Sequence, residues 1–406
     1  MTHIRPLSVV AVLTALAVWL GALVSAQPEP RLLLYRVGRL PFAEPMTSVA
    51  VAGRHAYVTS KGTLVVVDVD DPTRPRIVAR VSTPGEAHEV VLDGTTALVA
   101  DGSGGLRLVD VSRPDAPLPM GRIALDGPVT DVAAAGGLAV VAHSKQVDVV
   151  DYGDPDAPRV VSTIPLDHDV SDVALQGDLA LVTVVGNRWG DEELDLQLFD
   201  VADPRQPVAV GSLPLFASTL LITVYGKHAF LGHYVDGNLL ADTPGPPVTC
   251  EPGPCTPTVV YQAMPQRTLP PSQGVLTVVD IEDPHHPILS DKQVAGGPIG
   301  AVAVHGARVY SAGDFDGEGA QLLGFEVSDQ GTLRPLWTRY HDSFYGPHAS
   351  GIAVAEGLLY LVTQNDGLLI LAVASDGAPS PTVRPRSTST PEPTPRPPLF
   401  VPSAER

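Results

Sequence analysis

The chain has 406 residues, a formal net charge of −19 and a sequence pI near 4.9. Because nucleic-acid binding relies on clustered Lys and Arg, this charge argues against nucleic acid as a partner. Glycine (38 residues) and proline (41 residues) are abundant, and no stretch after residue 26 has the apolar spacing of a helix. The composition therefore favours an all-β chain.

Residues 1–26 have the pattern of a secretory signal peptide. A short start with Arg5 precedes an apolar run over residues 7–24, and small residues stand before Gln27. The apolar run is slightly long for a signal core, which leaves an uncleaved anchor as the alternative, but the small residues favour cleavage. We expect a secreted protein, extracellular or associated with the cell surface, with no membrane span in the mature chain.

One sequence motif, Asp-x-x-x-Pro-x-x-Pro, recurs at the ends of successive short apolar strands. The leading aspartates are 42, 41, 49 and 80 residues apart, and the last interval is about one repeat plus an insert. Self-similarity at this period predicts one supersecondary unit stacked on copies of itself, because a single unit cannot bury its own apolar faces. The five copies occupy residues 68–75, 110–117, 151–158, 200–207 and 280–287.

Each unit has room for four strands. In the first unit they are predicted at residues 48–52, 55–59, 64–68 and 76–81. The continuous Val and Leu runs indicate strands covered on both faces, whereas the alternating fourth strand is typical of half exposure. Such units predict an all-β β-propeller of about seven four-stranded blades.

The two ends of the repeat region predict how the ring closes. The last unit lacks a fourth strand, and an orphan strand at residues 31–38 looks like a fourth strand. If this N-terminal strand supplies the missing strand of the last blade, the open sheet edges disappear. The propeller is then expected to occupy residues 31–374.

The unit that contains Gly-Leu106-Arg-Leu-Val-Asp110-Val-Ser-Arg-Pro114, together with its copies, resembles the LVIVD repeat of secreted bacterial and archaeal β-propellers. The resemblance covers most of residues 48–287, and degenerate copies extend it to about Val373. It implies a propeller fold and an extracellular setting. It implies no catalytic residue, since the family has no established common activity.

Three inserts are predicted between second and third strands, on the face opposite the proline turns. They occupy residues 185–193 with Trp189, residues 232–272 with Tyr234, and residues 313–319. They could form a binding edge or be tolerated surface insertions. The second insert holds Cys250 and Cys255, which we expect to form a small loop disulfide in an oxidising compartment.

Three acids are predicted around the central channel. Five positions before the glycine that ends the first strand, neighbouring units carry Glu89, Asp131 and Asp172. Converging carboxylates suit calcium, although a solvated acidic ring with water in the channel is the alternative.

A second acidic stretch is a weaker metal candidate. Asp314, Asp316 and Glu318 alternate before a glycine like a calcium loop, although a polar turn explains them as well. No cofactor other than calcium is suggested.

The tail at residues 375–406 is rich in Pro, Ser and Thr, which predicts a disordered, extended spacer. Taken together, the sequence favours a non-enzymatic propeller that acts as an interaction scaffold for an unknown protein or cell-envelope polymer. The alternative is a calcium-dependent hydrolase that uses the acidic channel mouth. No catalytic residues are predicted, because no nucleophile and base are visible.

Overall fold

A computed structural model of the chain describes residues 32–185, 194–215, 220–235, 273–295, 297–314, 320–340, 349–363 and 366–375. Strands account for all the regular secondary structure in this part of the chain. They form seven separate four-stranded antiparallel sheets, which are the blades of a ring. The all-β, seven-bladed propeller predicted from the repeat is therefore confirmed.

In the first six blades, strands that follow one another in sequence pair with one another, so each blade is a meander. Blades 1–3 consist of β2 (Met46–Ala52), β3 (His55–Ser60), β4 (Thr63–Asp68), β5 (Arg76–Ser82); β6 (Glu89–Asp93), β7 (Thr96–Ala100), β8 (Leu106–Asp110), β9 (Leu118–Ile123); β10 (Val129–Ala135), β11 (Leu138–His143), β12 (Gln146–Asp151) and β13 (Arg159–Pro165). Blades 4–6 consist of β14 (Asp169–Gln176), β15 (Leu179–Val185), β16 (Leu194–Asp200), β17 (Val208–Leu215); β18 (Leu220–Tyr225), β19 (His228–Val235), β20 (Gln273–Asp280), β21 (Ile288–Val294); β22 (Ile299–His305), β23 (Arg308–Asp314), β24 (Ala320–Val327) and β25 (Leu333–Tyr340).

Blade 7 joins the two ends of the described chain. Its strands are β26 (Ala349–Ala355), β27 (Leu358–Thr363), β28 (Gly367–Ser375) and β1 (Leu32–Leu40), and β1 pairs antiparallel with β28. The register runs from Leu32 opposite Ser375 to Leu40 opposite Leu368. The first strand of the ring is thus the outer strand of its last blade.

The hydrophobic core lies between the blades. Seven clusters of buried apolar side chains occur among the described residues, and each joins two neighbouring blades, including blades 7 and 1. Second and third strands such as β3 and β4 supply Val and Leu side chains that are buried on both faces, as the continuous apolar runs predict. Each such side chain contributes about 1.5–3 kcal/mol when it is fully buried.

The leading aspartate of each repeat forms the turn between third and fourth strands. In every copy its Oδ1 accepts a hydrogen bond from the backbone N–H two residues later, at 2.8–3.0 Å. This contact is the local side-chain turn that Asp favours. The structural interpretation of the motif is therefore confirmed for residues 68, 110, 151, 200 and 280.

The same turn also forms hydrogen bonds to the preceding blade at two places. Gly121 of β9 donates its N–H to the Pro155 carbonyl oxygen of the next blade, at 2.9 Å. In blade 3, Ser162 Oγ donates to the Pro204 carbonyl oxygen of blade 4 at 2.6 Å. A bulge in the outer strand, seen for instance in the β16–β17 pairing, accompanies this close approach.

Candidate functional site

The innermost strand of each blade borders the central channel. β2, β6, β10, β14, β18, β22 and β26 form the lining of a cavity of about 360 Å³ on the ring axis. The position five residues before the turn that follows each inner strand faces this cavity in every blade. The residues at this position are Ser48, Glu89, Asp131, Asp172, Leu221, Ala301 and Gly351.

This ring position is acidic on one side and apolar on the other. Glu89, Asp131 and Asp172 belong to the consecutive blades 2, 3 and 4, whereas Leu221 and Ala301 belong to blades 5 and 6. The repeat brings the three acids together because each inner strand enters the channel at the same register. Their binding role remains a prediction.

Hydrogen bonds tie these side chains to the next blade. Asp131 Oδ2 accepts from the backbone N–H of Val173 at 2.7 Å, and Asp172 Oδ2 accepts from the N–H of Ile222 at 2.7 Å. Ser48 Oγ donates to Glu89 Oε1 at 2.7 Å. The polar groups at the channel therefore link blades 1 to 2, 3 to 4, and 4 to 5.

Burial and neighbouring charge at the channel raise the pKa of two of these carboxyl groups. Burial, together with the negative charge of Asp131, raises the pKa of Glu89 to about 8, although the bond from Ser48 opposes the shift. Burial also raises the pKa of Asp172 well above its usual value, and the charge of Asp131 and a hydrogen bond between the two carboxyl groups act in the same direction. Both groups therefore favour the neutral acid more than an exposed carboxyl does.

The other residues predicted as sites are not among the described residues that line this cavity. Tyr234 lies near the end of β19 and pairs with Gly274, and Asp314 ends β23 opposite Ala320, but nothing is described of their side chains. The other predicted residues lie outside the described residues: Trp189, Cys250, Cys255, Asp316 and Glu318. The signal peptide at residues 1–26 and nearly all of the tail at residues 375–406 also lie outside them.

Three buried polar pairs were missed by the sequence reasoning. Each joins a residue near, at or just after the end of the second strand to the third strand: Arg107 Nε lies 3.8 Å from Asp101 Oδ2, His143 Nε2 lies 2.7 Å from Asp148 Oδ2, and His233 Nε2 lies 2.8 Å from Thr277 Oγ1. A polar residue that ends an otherwise apolar strand was the available signal.

Two of these pairs have shifted acidity with opposite signs. The hydrogen bond to Asp148 raises the pKa of His143, whereas burial lowers the pKa of His233 to about 4. Gly85 N also donates to Asp101 Oδ2, at 3.1 Å, so the first pair holds the linker that enters blade 2. These pairs connect second and third strands on the face of the ring where the second strands end.

Neither a cluster of metal-ligating side chains nor a membrane-spanning helix occurs among the described residues. No group of three or more His, Cys, Asp or Glu side chains in them is arranged to hold a metal ion. None of their elements is a helix with the length and hydropathy needed to cross a membrane.

The comparison with protein families decides what kind of repeat this is. The LVIVD repeat matches residues 46–83, 84–124, 272–292 and 346–381. The chain carries LVIVD repeats. Two of these LVIVD repeats coincide with complete blades, because the first spans β2–β5 and the second spans β6–β9. The resemblance drawn from the sequence is confirmed.

Solved structures resemble the LVIVD-repeat propeller in fold. A chain of the mitotic checkpoint complex is 10% identical with a TM-score of 0.57, covering 85% of this chain and 94% of that one. The Myceliophteria thermophila Cps50 (Swd1) β-propeller domain is 14% identical with a TM-score of 0.56, covering 84% and 100%. The computationally designed Ika8 protein is 11% identical with a TM-score of 0.53, covering 82% and 98%. No curated protein matches the chain.

Proposed function

We propose that this LVIVD-repeat propeller is a non-enzymatic interaction scaffold, secreted and either extracellular or associated with the cell surface. Its partner is a protein or a cell-envelope polymer that is captured on the face where second strands end. One observation carries the proposal. The connections between second and third strands are longest in two consecutive blades, blades 4 and 5, at residues 186–193 and 236–272; in blade 6 the connection has five residues, 315–319.

In the other blades this connection has five residues or fewer, and in blade 2 it comprises residues 101–105. In blade 1 the strands join through Lys61 and Gly62, and in blade 3 through Ser144 and Lys145. A long connection costs ordering entropy, so two adjacent ones favour a binding role. The apolar residues of the channel, Leu221 and Ala301, belong to blades 5 and 6.

The contacts of the channel acids support a role without chemistry. Asp131 and Asp172 each accept a hydrogen bond from a backbone N–H of the following blade, and Glu89 accepts one from Ser48. These bonds engage oxygens that a general base or a calcium site would use. We assign the three acids first to holding the ring together.

The second candidate function is the calcium-dependent hydrolase suggested by the acidic channel mouth. The observation in its favour is the cavity of about 360 Å³ lined by three carboxyl groups. It predicts that Glu89→Gln and Asp131→Asn abolish turnover of a glycoside or ester substrate in the presence of calcium. The scaffold proposal predicts no turnover to lose.

The test of the scaffold is to shorten the longest connection. Val235 and Gln273 are paired across β19 and β20, so a Lys-Gly turn, as in blade 1, can replace residues 236–272 without changing the register. We expect the melting temperature to stay unchanged and the protein to lose retention of isolated envelope polysaccharide or of envelope proteins.

A matched control changes the opposite face. Arg205→Ala with Gln206→Ala alters exposed residues in the turn between β16 and β17 and should leave retention intact. Equal retention by the shortened variant and the control would contradict a binding role for this connection.

A further inference from the structure

Blade 3 contains a buried histidine and carboxyl pair where its second strand ends. His143 is the last residue of β11 and Asp148 lies on β12, and they are 0% and 3% exposed. His143 Nε2 lies 2.7 Å from Asp148 Oδ2, and Thr163 Oγ1 of β13 donates to Asp148 Oδ1. Each oxygen of this carboxyl group therefore has a hydrogen-bond partner on a neighbouring strand.

The charge of the buried pair depends on one proton. When His143 is an imidazolium, its positive charge balances the carboxylate of Asp148. When His143 is neutral, Nε2–H can still donate to Asp148, but the buried carboxylate has lost its counter-charge. Because an uncompensated charge in a protein interior is costly, loss of this proton weakens the packing around the pair.

Other charges near the pair do not replace the imidazolium. On the neighbouring strands, connection and linkers, the other titratable side chains are Asp126, Asp131, Lys145, Asp167, His168 and Asp169. Lys145 Nζ donates to the Asp167 carbonyl oxygen at 3.1 Å, and Asp131 accepts from the N–H of Val173 at the channel. The histidine is therefore the cation that Asp148 contacts.

The pair stands at the base of a strained two-residue connection. Ser144, which follows His143, has a φ of +52°, a left-handed conformation that is uncommon for residues other than glycine. The Ser144 carbonyl oxygen accepts from Val170 N–H at 2.8 Å, and the Lys145 carbonyl oxygen accepts from Leu166 N–H at 2.9 Å. The connection therefore holds the segment that leads from β13 into blade 4. Such a conformation persists only where its surroundings fix it.

We propose that His143 and Asp148 are a proton-dependent latch, in which protonated His143 fixes the connection of blade 3 against residues 166–170, and proton loss from His143 loosens the entry to blade 4. Blade 4 carries one of the two longest connections, at residues 186–193, on the same face of the ring. The latch does not depend on the proposed binding role, because it concerns how pH changes the fold and not what the ring binds.

The sign of the pH dependence follows from proton binding. The hydrogen bond to Asp148 raises the pKa of His143 above its ordinary value of 6.5, and the charges of Asp148 and Asp126 act in the same direction, whereas burial opposes them. The folded state therefore binds more protons than the unfolded state between the two pKa values. The stabilisation is complete below pH 6.5 and is lost as the pH rises through the pKa of folded His143.

The experiment compares the melting temperatures of the wild type and Asp148→Asn at a series of pH values. In the variant, neutral His143 can donate Nε2–H to the amide oxygen, so the pair needs no added proton. We expect the wild-type value to fall by several degrees relative to the variant between about pH 6 and about pH 9. Glu89, whose pKa is raised to about 8, is present in both proteins and cancels in this difference.

A matched control makes the same change in an exposed pair. His286 Nδ1 lies 2.9 Å from Asp283 Oδ2, and both side chains are exposed. Asp283→Asn should leave the wild-type dependence of melting temperature on pH in place, because water already solvates both groups. Parallel curves for the wild type and Asp148→Asn would overturn the latch.

Nuclear magnetic resonance of the wild type gives a second readout that does not depend on the variant being stable. We expect the His143 imidazole to titrate above pH 6.5. As it does so, the amide protons of Leu166 and Val170 should lose protection against hydrogen exchange relative to their intrinsic rates. A His143 that titrates at or below pH 6.5, or protection at these amides that does not follow its titration, would overturn the latch.

Discussion

The leading aspartate shows how one residue type serves two levels of structure. Its carboxylate closes a local turn, and the turn then presents the carbonyl of the following proline to the preceding blade. The sequence alone predicted the first role, because Asp followed by Pro favours a turn whatever surrounds it. It did not predict the second, since the partner residue belongs to another repeat.

A substitution at Gly211 can test the contact between the proline carbonyl and the preceding blade. A Cβ at this position would lie 2.1 Å from the Pro284 carbonyl oxygen, and backbone cannot move aside easily. We expect Gly211→Ala to lower the free energy of unfolding by about 1–3 kcal/mol through overpacking. Denaturant unfolding measures the change.

The control for Gly211 is Gly153→Ala in the turn of blade 3. The nearest atom to a Cβ on Gly153 is Asp151 Oδ1, at 3.3 Å, which is a side-chain atom that can shift. This variant should lose much less stability than Gly211→Ala. Equal losses would show that the contact with Pro284 is not special.

At the scale of elements, one blade contains a strand that is not consecutive in sequence with its other three strands. Six blades are meanders of consecutive strands, but blade 7 takes β1 from the other end of the chain. β1 covers the edge of β28 and packs Val37 and Leu40 against the core between blades 7 and 1. Without it, β28 would be an exposed edge with unpaired backbone groups.

Deletion of residues 31–40 should therefore unfold the ring or drive it to aggregate. We expect a large fall in melting temperature and loss of the monomer peak in size-exclusion chromatography, because a core and a sheet edge are exposed together. Deletion of residues 27–30, which precede β1, is the control and should change neither. A monomer of unchanged melting temperature after deletion of residues 31–40 would refute this role of β1.

At the scale of the whole molecule, closure changes how stability is distributed. An open array of repeats has two ends from which blades can separate one at a time. Here seven apolar clusters connect the blades in a circle, and the cluster between blades 7 and 1 removes the ends. Opening the ring at any interface exposes two apolar faces at once.

The ring should accordingly unfold in one cooperative transition. In calorimetry we expect a single peak whose van't Hoff enthalpy equals the calorimetric enthalpy, as in two-state unfolding. The variant without residues 31–40, if it folds at all, should show a broader transition with a lower ratio of these enthalpies. Several resolved peaks in the intact protein would contradict cooperative closure.

The sequence by itself determined the repeat, the four-stranded unit and a blade number of about seven, because strand periodicity and turn chemistry are local properties that each unit carries alone. It also located Glu89, Asp131 and Asp172, since equal register in each unit places equal positions on one axis.

Only the tertiary structure decided what those acids contact. The bonds from Val173 and Ile222, and the buried pairs of Asp101, His143 and His233, depend on how far apart neighbouring blades pack and which side chains meet there. That spacing is set by the summed volume of many apolar side chains, which no single motif records.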